Sequence, residues 1–251
     1  MTDYHETPQG RRLAYMSNTA REGIPGPGIV FLGGFKSDMH GSKAEHLAQW
    51  AQAQGRPFLR FDYSGHGASS GRFEDGAIGD WAQDAAEIIG ALTRGPQLLV
   101  GSSMGGWIAL LLCCRMPERI AGMVGIAAAP DFTEDSMWAS FDPAQRAAIE
   151  RDGRLELPSD YGEPYVITRR LIEEGRGNLV LRDPLAIPGP LRLLQGTGDR
   201  EVPVSVATRL LEHADCADAR LTLVRGADHR FSDPDCLSLI EAAIGEVIER
   251  T

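Results

Sequence analysis

The sequence predicts an α/β fold: a mostly parallel central sheet of about eight strands, with helices on both faces. Three observations predict it. Short apolar runs bounded by glycine and turn residues alternate with longer helical segments, which is the order of a parallel sheet built through crossovers. One helical segment, Met104 to Met116, is apolar on all sides, as a helix buried on a sheet would be. The chain has 251 residues, 43% hydrophobic and 24% charged, enough for one sizeable core.

In chain order, Tyr4 to Met16 reads as two short strands around Gln9-Gly10. A Gly/Pro-rich turn from Gly23 to Gly28 leads into the apolar run Ile29 to Leu32. Ser42 to Gln54 is helical, Pro57 to Asp62 a strand, Ile78 to Leu92 helical and Leu98 to Gly101 a strand. Strands follow at Ile120 to Ala127, Leu191 to Gln195 and Leu221 to Val224, and a last helix runs from about Pro234 to Arg250. Asp131 to Ile187 interrupts the alternation with charged, aromatic and proline residues. It is expected to form a small cap (131–187) over the carboxyl edge of a core made from 1–130 and 188–251.

Charge excludes several function classes. The formal net charge is −10, which repels phosphate backbones and anionic membranes, so no nucleic-acid partner is expected. No run approaches the roughly 18 apolar residues of a spanning helix, so no integral membrane association is expected. The polar, acidic start Met-Thr-Asp-Tyr-His-Glu resembles neither a secretory signal nor a transit peptide, and Cys113, Cys114, Cys216 and Cys236 show no paired metal spacing. Reduced thiols and a cytoplasmic setting are the expectation. The sequence leaves the oligomeric state open.

The sharpest motif is Gly101-Ser102-Ser103-Met104-Gly105, a Gly-x-Ser-x-Gly in one frame only, with Ser103 at its centre. A strand precedes it and an apolar helix follows, the setting that puts a nucleophile on a sharp turn. A serine hydroxyl needs a base, and the base an orienting carboxylate. His229, after the final strand and before the last helix, is the best-placed base; His66, in the turn Asp62 to Gly67, competes with it. Asp199, on the glycine-rich loop after the strand at Leu191, is the best-placed acid, with Asp131 as competitor. The Met104 N–H at the helix start and the Phe35 N–H in Gly33-Gly34-Phe35-Lys36 are the candidate oxyanion donors. No histidine pair has metal spacing and no dinucleotide or phosphate-loop motif is complete, so neither metal nor cofactor is expected. Arg169 and Arg170 sit beside Glu173 and Glu174 and read as a solvated helix face. Trp138, Phe141, Tyr161 and Tyr165 are candidates either for an acyl pocket or for the cap's own core.

Over nearly its whole length the chain resembles the α/β-hydrolase superfamily. Within it, the chain is similar to the α/β-hydrolase-domain group of mitochondrial palmitoyl-protein thioesterases and acyl-glucuronide esterases. The segments that carry the likeness are Phe31 to Ala44, Arg60 to Gly71, Leu99 to Trp107, Gln195 to Pro203 and Asp228 to Arg230. The resemblance implies Ser103 as nucleophile, Asp199 as acid and His229 as base, in a cofactor-free enzyme that deacylates thioesters or activated esters. The competing readings are a general carboxylesterase acting on oxygen esters, an acyltransferase, and a catalytically silent fold used as a binding module. An Asp-nucleophile epoxide hydrolase or dehalogenase is closed off, because Ser103 stands where Asp would be needed.

Overall fold

The computed structural model describes residues 1–19, 21, 24–157 and 164–251. Its central sheet has eight strands: β1 (Asp3–Glu6), β2 (Arg12–Asn18), β3 (Gly28–Leu32), β4 (Phe58–Phe61), β5 (Gln97–Ser102), β6 (Ile120–Ile126), β7 (Leu191–Gly196) and β8 (Ala219–Val224). Their spatial order is β1-β2-β4-β3-β5-β6-β7-β8. β2 pairs antiparallel with β1 and with β4, and the remaining neighbours are parallel. Gly10 turns β1 into β2 at φ +77°, where the sequence expects the turn; Gly23 of the second expected turn lies outside the described residues.

Residues on the central strands are buried on both faces, and alternate residues enter different cores. From β3, Val30 and Leu32 pack on one side while Ile29 and Phe31 pack on the other. The first side is covered by α2 (Ile78–Leu92) and α3 (Met104–Arg115), the second by α1 (Ser42–Ala53) and α7 (Pro234–Ile248). In α2 the buried Ile78, Trp81, Ala82, Ala85, Ile88 and Ile89 recur at helical spacing, whereas α3 buries every residue from Met104 to Cys113. That difference follows from position, since α3 lies between the sheet and further structure.

Between β6 and β7 the chain forms a π-helical turn at Thr133–Trp138, α4 (Pro143–Asp152), an antiparallel hairpin of Arg154–Leu157 with Tyr165–Thr168, and α5 (Arg169–Arg176). The apolar pattern here is too short to announce these elements. The helix α6 (Val204–His213) connects β7 to β8. Arg169 meets Glu173 at 3.7 Å on the expected helix face, but Arg170 leaves that face and pairs with Asp80 of α2 at 2.7 Å.

The turn after β4 is held from several sides. Asp62 accepts from Met39 N–H (2.6 Å) and Ala68 N–H (2.8 Å), while Arg60 donates to the Met39 carbonyl (2.8 Å). Asp84 of α2 accepts from the Ser64 N–H and hydroxyl and from Arg11. His66 is sealed in the same turn, its ring 5.5, 5.1 and 5.0 Å from the Tyr63, Phe73 and Trp81 rings. Its Nδ1 faces the Ser64 carbonyl at 3.2 Å, and its buried Nε2 has no partner among the described residues. Burial outweighs the Ser64 contact and pushes its pKa down to about 4.

A histidine whose folded pKa lies below its unfolded value of about 6.5 leaves stability intact above that pH. Stability is then lost as pH falls toward about 4, because the unfolded chain takes up the proton first. His66→Phe keeps a ring in the aromatic box and removes the titration. Relative to wild type, the variant is expected to gain about 2 kcal/mol between pH 7 and pH 5 in urea unfolding. Parallel pH dependence in the two proteins would show that His66 is protonated in the folded state without penalty.

Candidate active site

Ser103 occupies the one-residue junction between β5 and α3, with φ 54° and ψ −119°. An L-residue in that conformation stores on the order of 1–3 kcal/mol of strain. Main-chain bonds hold it there: Ser103 N–H donates to the Ile126 carbonyl (2.9 Å), and its own carbonyl accepts from Gly106 N–H (2.9 Å) and Ala129 N–H (3.1 Å). The two motif glycines make room for the turn. A Cβ on Gly101 would fall on the Gly105 carbonyl, and one on Gly105 would fall on the carbonyl of Leu32.

The loops after β7 and β8 converge on this turn because those strands run parallel to β5 and end at the same sheet edge. His229 Nε2 lies 3.1 Å from Ser103 Oγ, and its Nδ1 lies 2.9 Å from Asp199 Oδ2. The His229 side chain is partly buried and that of Asp199 fully so. Asp199 Oδ1 accepts from the N–H groups of Glu201 and Val202, both at 2.9 Å, and Oδ2 also accepts from Gln195 Nε2 at 2.9 Å. Burial works against ionisation of Asp199, but the bonds from His229, Val202 and Glu201 outweigh it and hold the carboxyl below its ordinary range. A carboxylate that stays charged fixes the proton of a neutral imidazole on Nδ1 and leaves the Nε2 lone pair facing the serine.

The glycines of the Asp199 loop admit a neighbouring backbone. Gly198 N–H donates to the Ala227 carbonyl (3.0 Å), and a Cβ on Gly196 would collide with that same carbonyl. The two loops that carry Asp199 and His229 are thereby packed main chain against main chain. From the other side Lys43 of α1 donates to the Arg230 carbonyl, next to His229. Burial, with help from Arg230, lowers the Lys43 pKa to about 8.

The loop after β3 runs beside Ser103: a Cβ on Gly34 would lie 3.4 Å from the Ser103 Cβ. It is fixed by Ser37 N–H to the Gly34 carbonyl (3.1 Å) and by the grip of Asp62 and Arg60 on Met39. Among the described residues the Phe35 N–H has no hydrogen-bond acceptor, and Met104 supplies the first N–H of α3, free by its position in a helix. The Phe35 ring makes an edge contact with Phe73 (4.8 Å) and Phe132 (5.6 Å), and the Tyr165 ring lies 6.4 Å away. Aromatic side chains from three separate segments therefore adjoin the loop beside Ser103.

The two competing residues are committed elsewhere. Asp131 is fully buried, and its oxygens accept from Val180 N–H, Leu181 N–H and Arg182, strapping the segment before β7 to the end of β6. His66 is confined to its aromatic box. Of the cap aromatics, Trp138 packs on Phe141 (6.3 Å) and lies under the Arg146 and Arg176 guanidinium groups, so both belong to the local core. Tyr165 approaches Phe35, and Tyr161 lies outside the described residues. Gln195 was missed: its alternation in β7 points to the sheet interior, and only the position of Asp199 four residues on hints at a contact.

Known proteins match both the sequence and the fold. The family model described as serine aminopeptidase, S33, matches residues 28–155. The palmitoyl-protein thioesterase ABHD10, mitochondrial, of Rattus norvegicus is 33% identical over 226 residues, covering 89% of this chain and 76% of that protein. A crystal structure of a protein described only as a hydrolase, from Agrobacterium vitis S4, superposes with a TM-score of 0.92 at 38% identity, covering 99% of each chain. The mouse α/β-hydrolase domain-containing protein 10 superposes with a TM-score of 0.90 at 30% identity, covering 99% of this chain and 98% of its own. A strand order with one antiparallel edge, a serine on a strained strand-to-helix turn and these likenesses agree: the chain belongs to the serine aminopeptidase S33 family of α/β-hydrolase enzymes.

Proposed function

We propose that the protein hydrolyses acyl thioesters or activated esters through an acyl-enzyme on Ser103. The observation that carries the reading is the unbroken relay Ser103 Oγ–His229 Nε2 (3.1 Å) and His229 Nδ1–Asp199 Oδ2 (2.9 Å). The thioester preference rests on the likeness to the rat palmitoyl-protein thioesterase. His229 Nε2 takes the Ser103 proton as Oγ attacks the acyl carbon, and the carbonyl π electrons move onto oxygen. The N–H groups of Phe35 and Met104 receive that oxyanion. When the tetrahedral adduct collapses, the C–S or C–O bond breaks. The leaving group carries off the His229 imidazolium proton, an alkoxide needing it as the bond breaks and a thiolate taking it up only as it departs, and Nε2 is free again. Water then gives a proton to His229 Nε2, attacks the acyl-enzyme and frees the acid, and Ser103 recovers its proton.

Asp199 keeps the imidazole in the required tautomer and stabilises the cation that forms. The 131–187 segment acts as the cap, and the aromatic cluster of Phe35, Phe73, Phe132 and Tyr165 beside the Ser103 loop supplies apolar surface for the acyl chain.

Ser103→Ala is expected to lower kcat/KM about 10⁴-fold or more with the fold intact. An unchanged rate would remove Ser103 from the mechanism. Asp199→Asn places an amide N–H against Gln195 and His229 and is expected to cost about 10³- to 10⁴-fold in kcat. If Asp131→Asn proved the more damaging to turnover, the relay as drawn would be wrong. For the leaving group, kcat/KM is compared on a medium-chain acyl thioester and its oxygen-ester analogue, with Ser103→Ala as blank. A thioester preference beyond the intrinsic reactivity difference is expected; equal or reversed preference would make the protein a carboxylesterase.

A further inference from the structure

One charged side chain at the relay has no part in the steps above. Glu201 Oε2 lies 3.5 Å from His229 Nε2, the same nitrogen that faces Ser103 Oγ. The Glu201 side chain is 63% exposed, so its charge stays in contact with solvent. Its main chain is tied down, however, because Glu201 N–H donates to Asp199 Oδ1 at 2.9 Å. The fixed Cα keeps the carboxylate within the reach of one glutamate side chain from Asp199, and in this conformation it faces Nε2.

We propose that Glu201 selects the leaving group by charge, so that acyl thioesters of cationic or neutral thiols are cleaved in preference to those of anionic thiols. The inference rests on the reading of Ser103 and His229 as the reacting pair. The departing atom must come within hydrogen-bond reach of Nε2, about 3 Å. Added to the 3.5 Å from Nε2 to Glu201, this confines that atom to within roughly 6–7 Å of the carboxylate, inside the screening length of about 8 Å at physiological salt. A charge carried a few bonds further along the leaving group still feels the carboxylate, and the acyl chain, on the other side of the scissile bond, does not need to.

The two lysines close to the site have other partners. Lys36 donates to the Pro164 carbonyl, with its ammonium 4.7 Å above the Tyr165 ring and 5.2 Å from Phe73, on the oxyanion-loop side. Lys43 is turned under the His229 loop to the Arg230 carbonyl. Arg200 and Arg230 are exposed neighbours in sequence and serve as charge controls.

The test uses butyryl thioesters of three thiols: thiocholine (cationic), 2-mercaptoethanol (neutral) and 3-mercaptopropionate (anionic), assayed by thiol release. Comparing wild type with variant on the same substrate cancels intrinsic reactivity. Glu201→Gln is expected to lower the cation-to-anion ratio of kcat/KM on the order of tenfold at low salt, with the neutral substrate changed only a few-fold. Glu201→Lys is expected to lower the ratio further, and about 0.5 M salt to shrink the difference between wild type and either variant. An unchanged ratio in both Glu201 variants overturns the proposal, as does a larger effect from Arg200→Gln or Arg230→Gln. Turnover that survives in Ser103→Ala, or its absence in wild type on all three substrates, defeats instead the reading on which the proposal rests.

Discussion

The site depends on how closely three backbones approach at the end of β5. Ser103 presents its hydroxyl only because the chain reverses within one residue, and the following helix then lies so near β5 and β3 that Gly101 and Gly105 have no space for a Cβ. The strain at Ser103 is balanced locally by three main-chain hydrogen bonds, one to β6 and two within the turn and the loop after β6. The hydrophobic burial of α3 secures the rest: with Met104 to Cys113 all buried, the helix cannot roll or withdraw to relieve the turn. A strained serine is thus held in place by a helix buried on every side.

Around this point the remaining groups are held by main-chain contacts rather than by side-chain packing alone. Asp199 is gripped by two backbone N–H groups and the Gln195 amide, and its loop docks on the His229 loop through Gly198 and Ala227. The loop bearing Phe35 is held at Met39 by Asp62 and Arg60, so the turn after β4 acts on the site from outside it. Buried carboxylates hold the surrounding loops in the same way. Asp62, Asp84 and Asp131 each accept from backbone N–H groups of a distant segment, and each carries a carboxyl whose ionisation burial makes more costly. These side chains give up hydration in exchange for fixed loop geometry.

Much of the architecture was legible because it follows from periodicity. The six strands from β3 to β8 were visible as apolar runs, β1 and β2 through the turn at Gln9-Gly10 between them, and α3 as a helix apolar on every side. The serine turn was legible for a different reason: its steric demands leave glycines at two defined offsets. That the loops bearing Asp199 and His229 meet at Ser103 was readable from chain order, since parallel strands send their following loops to one edge. Between β6 and β7 only the helix face at Arg169 to Glu174 was legible; α4 and the hairpin are short and half-exposed, and tertiary pairs such as Arg170 with Asp80 fix the segment. Gln195, Asp62 and Lys43 were not legible either. Each acts on a partner that only the fold brings near, and an isolated glutamine, aspartate or lysine carries no signal of that partner.

The same distinction separates chemistry from selectivity. Proton transfer demands three side chains at hydrogen-bond spacing, and that demand leaves a recurrent mark in sequence. Selectivity demands only a surface of suitable shape and charge, assembled from whatever residues the loops bring together. The aromatic cluster draws Phe35 from the loop after β3, Phe73 from the turn after β4, Phe132 from the segment after β6 and Tyr165 from the hairpin, with no common spacing. Glu201 adds a charge two residues beyond Asp199, where the backbone is already fixed for the sake of the relay. A loop made rigid to orient the base is therefore also the place where one exposed substitution changes the field at the departing atom without disturbing the turn of Ser103. Variation at such a position can alter the preferred leaving group while the relay itself is conserved in geometry.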